Sequence, residues 1–260
     1  MKRTAKNYLA LLCAFLLLSF PLRSGEETVS SDVIRSEHLL YGIPMEPDLL
    51  LDRKGFAIGY SRRHRQAIWV SYMLTAAHLE SPQVARRGAF KADPAVKFRP
   101  VRPNDYTRTG YDRGHLAPAA DMTYSVDTMK HSFFMTNISP QLPGCNRGIW
   151  KRLESQVRLW ALRERQLYVV TGPVFADGAH TMGKTDIPVP VAFYKVILDM
   201  TPPMKMIGFV IPNQPTKRRL QSFVVSVDDV EALTGCDFFS GLDDETEERL
   251  EKEADLSAWK

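Results

Sequence analysis

A turn-rich stretch in the middle of this 260-residue chain reads Gly110-Tyr111-Asp112-Arg113-Gly114-His115-Leu116-Ala117-Pro118-Ala119-Ala120-Asp121. Its glycines, proline and charged side chains make it a poor core segment. His115 therefore stands where a histidine can react rather than pack. A lone histidine is more often structural or merely exposed, so its meaning depends on the residues that accompany it.

Three polar residues follow His115 at spacings that suit a helix. Asn146 stands 31 residues after His115. Glu154 lies eight residues beyond Asn146, and Arg158 lies four beyond Glu154. Residues four or eight apart on a helix return to nearly the same face, so the three are predicted to form one polar stripe. An amide oxygen, a carboxylate and a guanidinium together suit a hard cation next to a phosphate group.

Further segments accompany the signature Asp112-Arg113-Gly114-His115 in a fixed order. They cover residues 69–72, 86–93, 109–111, 135–141, 146–154, 167–173 and 225–239. In this order and spacing the chain resembles the DNA/RNA non-specific endonucleases, the ββα-metal nucleases that include endonuclease G. The resemblance extends over residues 56–240, most of the chain, and is much more specific than a single four-residue match.

The resemblance implies a mechanism that uses Mg²⁺, with Mn²⁺ as the alternative ion. His115 would be the general base that deprotonates water for attack on phosphorus, which suits an imidazole with an ordinary pKa of about 6.5. Asn146 would be the one direct protein ligand of the ion, and Glu154 would hold the ion through its water molecules. Asp112 and Arg113 would shape the strand and turn that present His115. Hydrolysis would leave 5′-phosphate ends.

The resemblance also assigns side chains to the phosphate group. Arg86 would clamp the transition-state phosphate with a bidentate guanidinium. Arg113 and Arg158 would add positive charge for substrate binding. Asn137 would orient the site around His115 or the phosphate.

Several of these roles have structural alternatives that the sequence leaves open. The neighbouring Arg87 could serve in place of the chosen arginine, and Asn137 could simply end a helix. Arg158 could be an ordinary helical partner of Glu154. Asp121 is predicted to cap or turn the chain rather than to bind metal. The tryptophans predicted in the core rather than as base-stacking platforms are Trp69, Trp150 and Trp160.

The pattern of apolar residues predicts an α+β domain with a central, mainly antiparallel sheet flanked by helices. The resemblance adds a ββα-metal motif at the active site. Strands are predicted at residues 56–60, 66–73, 167–171, 191–199 and 205–211. Helices are predicted at 125–135, 146–165, 226–233 and 243–254, with Ser226 as a helix cap. Residues 81–111 are predicted to form a long functional loop.

Charge is unevenly distributed along the chain. The formal net charge is +4, but residues 1–24 hold four basic and no acidic residues, so the remainder is neutral. Residues 84–166 contain 15 Lys and Arg against 7 Asp and Glu, whereas residues 222–260 contain 3 against 12. The basic middle predicts a polyanion site there. The acidic C-terminal segment predicts a solvated helix face.

The N-terminus has the pattern of a secretory signal. Lys2, Arg3 and Lys6 precede an apolar run over residues 8–22, which is short for a membrane span of roughly 20 residues. The predicted organisation is a signal peptide or N-terminal anchor at 1–25, an arm at 26–55 and one nuclease domain at 56–260. The protein would be periplasmic, secreted or anchored through its N-terminus. No other segment of the sequence is long and apolar enough to span a bilayer.

The cysteines allow at most one disulfide beyond the signal and do not indicate a zinc site. Cys145 and Cys236 remain beyond the signal, and an oxidising compartment would allow them to pair. The sequence has no Cys/His cluster at zinc spacing, which argues against a structural zinc site.

Three functions fit this sequence to different degrees. A nuclease would bind DNA and RNA with little sequence preference, because Lys and Arg contacts to phosphates carry no base information. A non-catalytic nucleic-acid binder is disfavoured by the joint presence of His115, Asn146, Glu154 and an upstream arginine. A phosphodiesterase for small exported molecules is disfavoured by the long basic loop, which suits a polymer. The sequence leaves open whether the chain forms a homodimer.

Overall fold

The computed structural model describes residues 36–260, and the predicted N-terminal signal lies outside the described residues. Nine strands are present in this part of the chain. Their bounds are β1 Leu49–Arg53, β2 Phe56–Ser61, β3 Gln66–Thr75, β4 Asp112–His115, β5 Ile138–Gln141, β6 Gln166–Val174, β7 Ala192–Asp199, β8 Lys205–Pro212 and β9 Val224–Val225. Each of the strands predicted from the sequence is confirmed by one of them.

Seven of the strands form one sheet in the order β1-β2-β3-β6-β7-β8-β9, and every neighbouring pair is antiparallel. β4 and β5 pair separately, with His115 opposite Ile138. β1 belongs to the segment predicted as an arm, so the sheet begins at Leu49 rather than after residue 55. The pattern gave little sign of this edge strand, because Leu51 is its only buried side chain.

Five α-helices accompany the strands in residues 36–260: α1 Ala76–Glu80, α2 Val126–Ser132, α3 Lys151–Glu164, α4 Val227–Thr234 and α5 Asp244–Glu251. Ser226 caps α4 as predicted, since its Oγ accepts from the Asp229 N–H at 3.1 Å and the Asp229 carboxylate accepts from the Ser226 N–H at 3.3 Å. No helix in the described part of the chain has the length and apolar character to cross a bilayer.

Helices cover both faces of the seven-stranded sheet. On one face, Leu153 of α3 lies in the same buried cluster as Phe193 of β7. On the other face, Val230 of α4 and Leu250 of α5 lie in a cluster with Val196 of β7. Because successive β7 side chains alternate between the faces, α3 and the α4–α5 pair are on opposite sides of the sheet. Burying each such side chain contributes roughly 1.5–3 kcal/mol, which fixes the layers.

The sheet also separates the two cysteines. Cys145 is buried in the cluster on the α3 side, and Cys236 is buried on the α4 side, where its Sγ lies 4.0 Å from the Tyr194 hydroxyl. Both are free thiols. The disulfide that an oxidising compartment would allow is therefore excluded by the fold.

The predicted long loop over residues 81–111 is anchored by Asp93. The carboxylate of Asp93 accepts from Arg53 at 2.6 Å and from Thr136 at 2.7 Å, and the residue is 2% exposed. These bonds tie the loop at Asp93 to β1 and to the segment before β5. The predicted core tryptophans are all buried: Trp69, Trp150 and Trp160.

Candidate active site

A cavity of about 470 Å³ brings together β4, the long loop before it and the start of α3. It contains six of the seven site residues predicted from the sequence, and Asn137 is the exception. Its charged and amide lining consists of Arg86, Arg113, His115, Asn146, Arg147, Lys151, Glu154 and Arg158. Arg87 lines a different cavity, so Arg86 is the arginine of the pair that reaches this site. Five cations and one carboxylate make the cavity suited to an anion.

His115 ends β4 and lines this cavity. Its ring packs against Phe133 and Phe90, with ring centroids 5.0 Å and 5.5 Å away. Burial, together with the nearby Arg86 guanidinium, lowers the pKa of His115 to about 4. The imidazole is therefore neutral at pH 7, and its buried Nε2 has no hydrogen-bond partner among the described residues. Because Nε2 is enclosed, a proton from a reactant in the cavity would be accepted by the other ring nitrogen, Nδ1, which is not enclosed in this way.

Asn137 lies behind the site and does not line the cavity. Its Oδ1 accepts from the Ala117 N–H at 2.9 Å, and its Nδ2 donates to the carbonyls of Ala117 at 2.9 Å and Ser132 at 3.0 Å. It ends a short 3₁₀ turn, Met135–Asn137, as the structural alternative proposed. The side chain therefore fixes the chain two residues after His115, and the expected contact with the phosphate is not supported.

Gly114 leaves room for a side chain of the neighbouring strand β5. A Cβ at this position would overlap the side chain of Gln141, which lies on the paired strand. A larger residue here would have to displace the Gln141 side chain.

Asn146 is oriented by Asp112, the first residue of β4. Its Nδ2 donates to Asp112 Oδ2 at 2.9 Å, and the same carboxylate accepts from Arg147 at 2.8 Å and 2.6 Å. Partial burial alone would raise the pKa of Asp112, but the hydrogen bonds from Arg147 and Asn146 outweigh it and lower that pKa. With its nitrogen occupied, Asn146 has Oδ1 free as a donor atom for a cation.

The chain around Asn146 is not the straight helix that the sequence predicts. Residues Cys145–Trp150 form a π-helical turn, and Gly148 has non-helical angles, φ −102° and ψ −108°. The regular helix α3 begins only at Lys151. Asn146 and Glu154 therefore meet at the cavity across a kink rather than along one regular stripe, an irregularity that is common at functional sites.

A buried group of charges adjoins Glu154. The side chain of Asp121 is 1% exposed and accepts from Arg158 at 2.9 Å. The ammonium of Lys195 lies 5.1 Å from the Trp150 ring, and its Nζ has no hydrogen-bond partner in the described chain. Burial raises the pKa of Glu154 and lowers that of Lys195, while each group's charge opposes the shift of the other. Lys195 thus helps to keep Glu154 ionised.

Two members of this group could not be assigned from the sequence. Asp121 lies in a 3₁₀ turn, Ala119–Met122, as expected, but its side chain is the ion-pair partner of Arg158. The alternative in which Arg158 pairs with Glu154 is therefore wrong. The only indication of Lys195 in the sequence is that it is the single lysine within the apolar run that forms β7.

Arg113 is held at the cavity by the long loop. Its guanidinium donates to the Pro103 carbonyl at 2.7 Å and 3.3 Å. It also lies 5.6 Å from the Phe90 ring and 5.9 Å from the Tyr106 ring. These contacts fix one side of the guanidinium and leave positive charge on the cavity wall.

An open groove continues from the cavity along α3. Arg147 and Lys151 line both, and the groove adds Arg152 and Lys217. We name these four residues the basic groove. Arg152 donates to the Arg218 carbonyl at 3.1 Å, which ties the two walls together. The basic groove can extend phosphate contacts beyond the group bound in the cavity.

The sequence between residues 35 and 245 matches the family described as DNA/RNA non-specific endonuclease. Nuclease C1 of Cunninghamella echinulata var. echinulata is 37% identical over 227 residues, which cover 80% of this chain and 90% of that protein. A nuclease of Nostoc sp. is 33% identical over 239 residues, covering 85% and 86%. Mitochondrial endonuclease G of Homo sapiens is 31% identical over 217 residues, covering 78% and 73%.

The fold is similar as well. EndoG in its solved complex with EndoGI has a TM-score of 0.74 and 30% identity, and the match covers 79% of this chain and 91% of that chain. The family match includes every residue that lines the candidate active site. The chain therefore belongs to the DNA/RNA non-specific endonuclease family.

Proposed function

We propose that this chain is an exported endonuclease that uses Mg²⁺, with His115 as general base, to cut DNA and RNA with little sequence preference. The observation that carries the proposal is a single cavity with a neutral, unpaired imidazole, a free amide oxygen and five basic side chains. The family assigns nuclease activity to the chain. The arrangement of these side chains supports the individual roles.

His115 accepts a proton from the attacking water in this scheme. The lowered pKa keeps the imidazole unprotonated at neutral pH, so nearly every enzyme molecule has the form that can accept a proton. The rings of Phe90 and Phe133 hold the imidazole on two sides. Asn137 acts as a positioning residue, since it fixes the backbone next to His115.

The donor atoms near Asn146 fit a hydrated magnesium ion. Asn146 Oδ1 offers one neutral oxygen, and Glu154 has no ion-pair partner within 4.0 Å in residues 36–260, so its carboxylate can accept from ion-bound water. Magnesium commonly keeps several water molecules and needs few protein ligands. When bound, the ion would stabilise negative charge on the phosphate and on the leaving 3′-oxygen. The same oxygen donors would accept Mn²⁺.

The arginines bind and polarise the phosphate. Arg86 and Arg113 face the cavity from the long loop and from β4, and Arg158 faces it from α3. A guanidinium can donate two parallel hydrogen bonds to phosphate oxygens. Because Arg158 also pairs with Asp121, its position is fixed before substrate binds.

The positions of the basic side chains, in the cavity and in the basic groove, support cutting that does not depend on sequence. The basic groove continues the positive surface of the cavity along α3. Such contacts read phosphates rather than bases, so affinity should fall steeply with salt. A polymer uses both surfaces, whereas a small diester would fill the cavity alone.

Export is proposed from the basic and apolar pattern of residues 1–25. Two relatives, from Homo sapiens and Saccharomyces cerevisiae, are named as mitochondrial, so membership of the family does not by itself imply export. N-terminal sequencing of the protein from its native source tests the proposal, because export with cleavage predicts a mature chain that begins beyond Leu22. A chain that retains Met1 inside the cell would contradict it.

Asp112→Ala should raise the Mg²⁺ concentration for half-maximal plasmid cleavage by about 10–100-fold, the usual cost of losing a group that orients a metal ligand. The reason is that the Asn146 amide loses the carboxylate that holds its nitrogen. EDTA should abolish cleavage by both proteins.

Asp177→Ala is the matched control, because Asp177 is exposed and lies outside the cavity. It should keep the wild-type Mg²⁺ requirement. An unchanged requirement in Asp112→Ala would mean that Asn146 does not hold the ion.

A further inference from the structure

Most of the acidic C-terminal segment is solvated as its composition predicts, since nine of its twelve acidic residues are exposed, but one of them is buried. Glu251, the last residue of α5, is only 7% exposed. The charges of Asp228 and Glu231 on α4 and of Glu247 on α5 act on it, and Asp237, after α4, lies near Glu231 and Glu247. The fold therefore gathers negative charge between α4 and α5.

No basic side chain neutralises this group within residues 36–260. None of the five carboxylates has a Lys, Arg or His nitrogen within 4.0 Å. The cations nearest in sequence pair elsewhere, since Lys252 binds Glu248 at 2.6 Å and Arg249 binds Glu253 at 3.9 Å. Asp228 and Asp237 are exposed to solvent, so the charge that lacks compensation is that of the buried Glu251 and of Glu231 beside it.

The carboxylate of Glu251 provides a second, independent observation. Its Oε1 is buried and has no hydrogen-bond partner in the part of the chain described. Carboxylate oxygens of Asp228, Glu231 and Glu251 all lie within 4.8 Å of one another. A buried carboxylate with one unpartnered oxygen, beside two other carboxylates, is costly unless a cation or a shared proton lies among them.

We propose that Asp228, Glu231 and Glu251 bind one calcium ion, which ties α5 to α4. Calcium takes 6–8 oxygen ligands and accepts carboxylates in flexible geometry, so three carboxylates and water can complete its shell. Magnesium suits the site less well because it keeps its water, and zinc prefers nitrogen and sulfur donors. The Phe238 N–H donates to Glu231 Oε1 at 2.7 Å and holds that ligand in place.

This site is separate from the candidate active site. α4 and α5 pack on the sheet face that carries Val196, whereas α3 packs on the face that carries Phe193. The calcium ion would therefore stabilise the C-terminal helices and take no part in hydrolysis.

A shared proton is the competing way to balance the charge. Burial, followed by the charge of Glu231, raises the pKa of Glu251 to about 8. Glu251 could then donate to Glu231 near neutral pH without any ion. The two possibilities differ in their response to calcium, which the experiment below measures.

The test is calorimetric titration of CaCl₂ into metal-stripped protein at pH 7.5, with thermal unfolding of the same samples. All samples carry Asn146→Ala, so that an ion at the candidate active site does not contribute. We expect one calcium per chain and a rise in Tm of roughly 5–10 °C at a calcium concentration about 100-fold above Kd. Glu251→Gln should abolish both the heat of binding and the rise in Tm.

Glu248→Gln is the matched control on the same helix, because Glu248 is exposed and pairs with Lys252. It should bind calcium as the parent protein does. Asp228→Asn provides a second ligand variant if Glu251→Gln does not fold.

Absence of binding heat and of a Tm rise in the parent protein would overturn the calcium site. So would an unchanged calcium response in Glu251→Gln. A calcium-insensitive parent that Glu251→Gln stabilises would assign the shared proton instead. Glu251→Gln with Asn146 intact should still cut DNA in Mg²⁺, so the outcome is independent of the nuclease proposal.

Discussion

His115→Ala should lower kcat for DNA cleavage by about 10²–10⁴-fold, the usual contribution of a general base. KM should change little, because the cations that line the cavity remain. The measurement is steady-state cleavage of a labelled duplex at saturating Mg²⁺, with circular dichroism to confirm the fold. Free imidazole should restore part of the lost rate, since it can occupy the space between Phe90 and Phe133.

His64→Ala is the matched control for this substitution. His64 stacks on Phe175 with ring centroids 4.2 Å apart and lies outside the cavity. Its removal should leave kcat unchanged. If His115→Ala retained the wild-type kcat, the base would have to be another residue, although the fold would stand.

Asp121→Ala should lower the free energy of unfolding by about 3–5 kcal/mol, the usual cost of removing one partner from a buried ion pair. The cost is high because Arg158 loses its 2.9 Å partner and Lys195 loses a nearby negative charge. Urea unfolding followed by fluorescence or circular dichroism measures the change.

Asp127→Ala is the matched control, because it removes an exposed aspartate rather than a buried one. The side chain of Asp127 is 57% exposed and pairs with Lys54 at 3.3 Å. Exposed pairs contribute at most about 1 kcal/mol, so this variant should remain close to the wild type. If Asp121→Ala lowered the free energy of unfolding no more than Asp127→Ala does, the buried Asp121–Arg158 pair would not stabilise the fold as proposed.

Local pattern was sufficient to predict most of the framework. Short β-rich apolar runs bounded by turn residues indicated β2, β3, β6, β7 and β8, and the Ser226 cap indicated the start of α4. β1 was missed because an edge strand with one buried side chain has almost no alternating pattern. The kink at Gly148 was missed because helical spacing does not reveal a π-helical turn.

The site was predictable where the signature and the family's order of motifs specify it, as for His115, Asn146 and Glu154. Partners that depend on long-range packing were not predictable. Asp121 meets Arg158 across 37 positions of sequence, and nothing local to either residue indicates the pair.

Two further outcomes depended on depth within the fold rather than on residue type. Asn137 is polar but fully buried, so it bonds the backbone rather than a phosphate. Glu251 belongs to a strongly acidic stretch, yet the helix turns it inward against α4. Composition predicts average exposure and cannot identify the one acidic residue that is buried.

The most direct test of the proposed activity is incubation of supercoiled plasmid and of an RNA with the purified protein, in Mg²⁺ and in EDTA. We expect plasmid nicking and RNA loss in Mg²⁺, both abolished by EDTA, with 5′-phosphate ends on the products of both substrates. A folded protein that leaves both substrates intact in Mg²⁺ would contradict the nuclease assignment. Cyclic phosphate ends on the RNA would contradict water activation by His115.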